Sequence, residues 1–120
     1  MQHTTNFRRG DVVLVPFPFT EQRASKRRPA LVVSGDEYLS ACPDVIVAQI
    51  TGRLNPPPRP GDHRVRDWKG AGLLSPSLVR ARLTTLHRSV VLRRLGRMSS
   101  DDMFAVNRSL MTALDLGAGG

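Results

Sequence analysis

The chain has 120 residues, enough for one domain with a single modest core, and 40% of them are hydrophobic, which argues against disorder. No apolar run approaches the roughly 20 residues of a membrane span, and the lone Cys42 excludes an internal disulfide and a cysteine-rich metal site. Eighteen Lys and Arg against ten Asp and Glu leave a net charge of +8, a balance that attracts polyanions, nucleic acid before lipid, although an arginine-rich codon bias produces the same composition.

Met1 to Asn6 carries no apolar signal region, so a cytoplasmic protein is expected. Residues 1–9 read as a flexible basic tail. The apolar run from Val12 to Phe19 contains Pro16 and Pro18. Continuous rather than alternating patterning predicts a strand buried on both faces, or one that leaves the core at the prolines. Thr20 to Arg27 is polar and aperiodic, a loop between strands.

The next stretch, Lys26-Arg27-Arg28-Pro29-Ala30-Leu31-Val32-Val33-Ser34, runs three cations directly into a proline and an apolar strand over Leu31 to Ser34. Pro29 has no amide hydrogen and suits a strand's first residue, and it pushes Arg28 towards an extended backbone. A cation held at the mouth of a strand can hold a phosphate; a solvated basic turn before a core strand has the same pattern.

Gly35 to Ser40 reads as a helical turn with acids near its start, ended by Pro43. Val45 to Ile50 is a third, β-branched strand, closed by Thr51 and Gly52. Asn55 to Gly61, with four prolines, should be a stiff polyproline-like loop. His63 to Trp68 is an edge-strand candidate. From Leu78 to Leu83 the chain alternates Leu78, Arg80 and Arg82 with Val79, Ala81 and Leu83, so one face should be basic and solvent-facing, and Thr84 to Leu86 continues the sheet. Ser89 to Leu95 suggests a short helix or turn with Gly96 as its C-terminal cap. Ser99 with Asp102 then resembles a capping box. Behind it Met103, Val106, Leu110 and Leu114 form an apolar stripe widened by Phe104 and Met111, facing a core or a partner. Five or six short strands with one C-terminal helix make a mainly β (α+β) domain, a small curved β-barrel.

Clustered carboxylates are what a metal-dependent nuclease needs, and from Trp68 to Ser100 there are none. His3, His63 and His87 lack metal-ligand spacing, and no phosphate-binding glycine loop is present. Neither metal nor cofactor is therefore expected. If the polyanion is RNA, a metal-free route to cleavage is attack by the ribose 2′-hydroxyl on the adjacent phosphorus. That step needs a base, an acid for the departing 5′-oxygen and positive charge on the phosphorane. Arginine suits the last task through its planar fork, and suits proton transfer poorly because its pKa lies above about 12.

Four segments taken together, Arg9 to Thr20, Lys26 to Ser34, Asp44 to Thr51 and Gly72 to Arg80, resemble the MazF/PemK family of toxin endoribonucleases. The likeness spans Gly10 to Leu116 and implies one barrel domain over residues 10–116, followed by a flexible 117–120. It implies the SH3-like barrel shared with CcdB and a homodimer with a concave RNA surface crossing both subunits. It also implies metal-independent, sequence-selective cleavage of single-stranded RNA to a 2′,3′-cyclic phosphate and a 5′-hydroxyl, restrained by a cognate acidic antitoxin. Arg28 matches the family's arginine before the proline of the second strand, and Thr51 the threonine ending the third; the resemblance makes these two catalytic. Lys26, Arg27, Arg53, Ser77, Arg80 and Arg82 become RNA-binding candidates. Arg82 stands where some members carry an aspartate two residues after the arginine, unless a one-residue gap intervenes. The general base is then unassigned among His87, His63 and Asp11. Of the aromatics, Phe17 and Phe19 either flank the site or pack in the core, and Trp68 is the better exposed candidate for base stacking. Two rivals stand beside this reading: a topoisomerase poison on the CcdB plan, whose C-terminal tryptophan has no counterpart in this glycine-ended chain, and a non-catalytic basic nucleic-acid-binding barrel.

Overall fold

The computed structural model describes residues 6–17, 26–55 and 57–117. In chain order it contains β1 (Asp11–Phe17), β2 (Lys26–Val32), α1 (Asp36–Ala41), β3 (Asp44–Thr51), β4 (His63–Arg64), β5 (Leu78–His87), β6 (Arg93–Arg97) and α2 (Ser100–Leu114). The strands form one six-stranded sheet ordered β4-β5-β3-β2-β1-β6, antiparallel at every pairing. It curls into a half-barrel with α2 as its one long helix. This is the expected fold class. Among the described residues no helix is long and apolar enough to cross a membrane.

The sheet buries both faces, and β1 shows why its sequence does not alternate. Val12 joins Leu31, Ala48 and Ile50 in a core closed by Val106 and Leu110 of α2. Val13 and Val15 join Ala30, Val32, Val45 and Val47 in a second core, against which Phe7 and Leu39 of α1 pack. Each fully buried valine or leucine contributes about 1.5–3 kcal/mol, so the three central strands carry most of the apolar stabilisation.

Three local expectations are corrected. The second strand begins at Lys26, not Leu31, because β1 supplies an antiparallel partner from Phe17↔Lys26 to Val12↔Leu31. Pro29 is accommodated inside it, since the ladder to β3 starts only at Ala30↔Gln49 and leaves Pro29 a partner on one side. The expected alternation of β5 is broken by a bulge: between Ala48↔Leu83 and Ile50↔Val79 the strand carries extra residues, and the inside–outside sequence is reset. Leu78 and Val79 are both buried, whereas Ala81, Arg82 and Leu83 are all exposed.

The segment read as a helix capped by Gly96 is instead a 3₁₀ turn, Arg88–Val90, followed by β6. Gly96 is required by close approach rather than capping, because a β-carbon there would fall on the carbonyl oxygen of Ala71. Ahead of β1, Arg9 Nε donates to Val33 O at 2.9 Å, and Arg8 N to Asp11 Oδ2 at 2.8 Å. Residues 1–5, Phe19, the loop positions 20–25 and residues 118–120 lie outside the described residues.

Helix α2 starts as its sequence indicates. Ser99 is the N-cap, its hydroxyl accepting from Asp102 N at 3.1 Å. The Asp102 carboxylate does more than a capping box asks. Fully buried, it accepts from the amides of Arg66 (2.9 Å) and Asp67 (3.0 Å) and lies 2.7 Å from His63 Nε2. Burial pushes this carboxyl up, but those two amides, with His63 and Ser99, outweigh it and hold the group below the usual carboxylate range.

Candidate functional site

Strands β2 and β3 are paired from Val32↔Val47 to Ala30↔Gln49. Carrying that register two residues further sets Arg28 opposite Thr51, just where pairing has stopped and the strands open. Both residues line one cleft of about 480 Å³, together with Arg27 and Ser77. The rest of the wall comes from Gly72 to Ser75 and from Arg93 and Leu95 of β6. That wall is set by backbone contact: Gly72 has φ +81°, and a β-carbon on it would meet the Leu95 carbonyl oxygen. The Asp102 carboxylate reaches the same wall indirectly. It holds Asp67 N, while Asp67 O accepts from Ala71 N (3.2 Å) and Trp68 O from Leu73 N (3.0 Å).

Three arginines, Arg27, Arg28 and Arg93, line the cleft, and among the described residues no carboxylate does. An enclosed concentration of one sign of charge focuses the field on an anionic ligand. The Thr51 hydroxyl oxygen accepts from Arg53 N at 3.1 Å, which orients the side chain and leaves its hydrogen to be donated elsewhere. Ser77 is buried, and its hydroxyl donates to Ser75 O at 2.8 Å.

The other residues singled out in the sequence lie apart from this cleft. Lys26 is exposed at the start of β2 and Arg53 is exposed beyond β3; neither lines it. Arg80 is largely buried, its Nη1 3.4 Å from Asp62 Oδ2. Arg82 is exposed on the bulged part of β5. The three groups weighed as a general base are engaged elsewhere: His63 with Asp102, His87 with Ser89 Oγ at 2.8 Å, and Asp11 with Arg94 (3.1 Å) and Arg97 (2.8 Å). Trp68 is no open stacking platform, since it is half-buried against the first core with Lys69 Nζ 5.5 Å from its ring centroid. Among the described residues no group of three or more His, Cys, Asp or Glu could hold a metal ion.

Arg93 escapes the sequence reading, which takes its segment as a helix or turn. The signal that finds it is the sheet register: Arg93 pairs with Leu14 on β1, and Leu14 pairs with Pro29 on β2, next to Arg28.

These features define a class first: a small basic half-barrel whose central strands open onto an arginine-lined cleft. Residues 8–114 match the model of the PemK-like, MazF-like toxins of type II toxin–antitoxin systems, and the chain belongs to that family. Among solved structures it is similar to a mycobacterial endoribonuclease in complex with its cognate antitoxin, at 21% identity over 92% of this chain and 96% of that one, with a TM-score of 0.75. It is also similar to the Mycobacterium tuberculosis toxin MazF-mt6 (20% identity, 89% and 98% covered, TM-score 0.73). A third likeness is to MazF from a MazE–MazF structure of Deinococcus radiodurans (21%, 95% and 100%, TM-score 0.74). At such identities the likeness concerns the fold.

Proposed function

We propose that this toxin is a metal-independent endoribonuclease that cuts single-stranded RNA in the cleft between β2, β3 and β6. The observation that carries this is the meeting of Arg28 and Thr51 at the open end of adjacent strands, in a cleft where the charged residues among those described are all cationic. The ribose 2′-hydroxyl oxygen attacks the adjacent phosphorus and gives its proton to solvent, the P–O5′ bond breaks, and the 5′-oxygen takes a proton from solvent, leaving a 2′,3′-cyclic phosphate and a 5′-hydroxyl. Arg28 binds the non-bridging oxygens and donates a hydrogen bond, not its proton, to the leaving oxygen. Thr51, oriented by the Arg53 amide, donates its hydroxyl hydrogen to the phosphate. Rate enhancement here rests on charge stabilisation and positioning, because His63, His87 and Asp11 are committed to other partners.

The cleft is the surface an acidic antitoxin would neutralise, and solved neighbours include toxins with cognate antitoxin. A second copy of the chain covers the apolar side of α2, making a homodimer. Incubating the purified protein with RNA in EDTA tests the central claim. Cleavage with a cyclic-phosphate terminus is expected; a strict magnesium requirement, or binding without cutting, would overturn it.

A further inference from the structure

Arg93 and its apolar surroundings have no part in the chemistry above. Its side chain is exposed at the cleft and makes no hydrogen bond or ion pair to any described residue, unlike Arg94 and Arg97 on the same strand, which are both held by Asp11. Beside it the cleft has aliphatic lining: Leu14 and Pro29 are its neighbours across the sheet, and Leu73 and Leu95 line the same cleft. At the rim stands Leu74, 98% exposed, an apolar surface the described chain leaves uncovered. From β6 to β2 is two strand spacings, about 10 Å. That is the scale separating a nucleotide's base from its phosphate.

Aliphatic walls are a poor seat for a phosphate and a good one for the faces of a nucleobase. A guanidinium donates only, through a rigid fork. The base edge that matches it presents two adjacent acceptors, which is guanine with O6 and N7; adenine offers N7 beside an amino donor. We propose that the Arg93 end of the cleft is a base-reading subsite that selects a guanine next to the phosphate held at Arg28, with Leu74 and Pro29 against the base. This rests on the ribonuclease reading and adds to it the residue that sets sequence choice.

The test compares wild type, Arg93→Ala and Arg93→Lys on short RNAs carrying guanosine or adenosine at each position flanking the cut. Binding of the same RNAs is followed by fluorescence anisotropy across a salt series. Wild type should prefer guanosine at one position. Arg93→Ala should lose about tenfold in kcat/KM on the guanosine RNA, so that the preference collapses there and nowhere else. Arg93→Lys should keep the salt dependence yet lose the preference, because an ammonium lacks the fork. An unaltered preference in Arg93→Ala, or a uniform loss across sequences with a shallower salt slope that Arg93→Lys restores, would mean no base reading and overturn the proposal while RNA cleavage stands. If wild type neither cuts nor binds these RNAs, both readings fall together.

Discussion

Arg28 is the residue on which charge and geometry can be separated. It is half-buried at the cleft, in a strand that the neighbouring β1 already holds in place, so its replacement should leave stability nearly unchanged. Arg28→Lys keeps the charge but loses the two-pronged contact with phosphate oxygens. Cleavage should fall about a hundred- to a thousandfold, the usual effect of removing one transition-state donor. Thr51→Val preserves shape and removes only the hydroxyl, and should also slow cleavage without lowering the melting temperature. Full activity in both variants would refute the site. Arg27 and Arg80 make a second contrast, in binding. Arg27 is exposed at the cleft, whereas Arg80 is occupied by Asp62. Arg27→Ala should make the dependence of log K on log salt shallower by about 0.7, the value of one phosphate contact on a single strand. Arg80→Ala should leave that slope alone; the reverse pattern would place RNA along β5 instead.

At the scale of elements, Asp102 joins the start of α2 to β4 and to the turn that walls the cleft. Its carboxyl is held below the usual range, so its contribution is fully present above the unfolded value, near 3.9. That contribution disappears as pH falls through the lower folded value. Asp102→Asn should therefore cost about 3 kcal/mol at neutral pH, since hydrogen bonds to a charged group are each worth about 1.5–3 kcal/mol. Thermal melts should show that deficit constant from pH 7 to 5 and narrowing below about pH 4; a deficit independent of pH would assign the loss to capping alone. Nothing in the spacing of Ser99 and Asp102 announces the distant amides, because those contacts are tertiary. The same division runs through the rest of the chain. β1, β3 and α2 are legible, because a strand buried on both faces and a capped amphipathic helix write their environment into adjacent residues. The start of β2 is not: charge and a proline disguise pairing that its partner β1 dictates. β6 is missed for a related reason, as its glycine answers to a carbonyl on another segment. With it goes Arg93, whose place at the cleft exists only through strand order. Arg28 stands out by its place before Pro29 and by resemblance, Thr51 by resemblance alone, and the register of β2 and β3 is what brings them together.

For the molecule as a whole, the unresolved balance lies between its charged cleft and its uncovered apolar side. Val106 and Leu110 of α2 reach the core and Met103 packs against it, but the outer part of the stripe does not: Phe104 is 64% exposed and Leu114 48%. Beside them runs an apolar groove of about 450 Å³ lined by Val33, Ile46, Leu83, Leu110, Met111 and Leu114. A chain carrying +8 gains nothing from meeting itself through its basic surface, so self-association must use the apolar one. A symmetric pair would set the same patch against itself and remove each α2 from water in one step. A stable interface of this kind buries above roughly 1,000 Å² in total. Light scattering at micromolar concentration should therefore report twice the chain mass. Met111→Asp combined with Leu114→Asp places charge in the joint at positions that the monomer leaves exposed, and should yield monomers with an unchanged circular dichroism spectrum. A wild-type monomer would refute the dimer. The double variant also asks whether one subunit holds the whole site. If the RNA track crosses both copies, the separated subunits should lose cleavage although Arg28 and Thr51 are intact; if they cut at the parental rate, the cleft of a single half-barrel is sufficient.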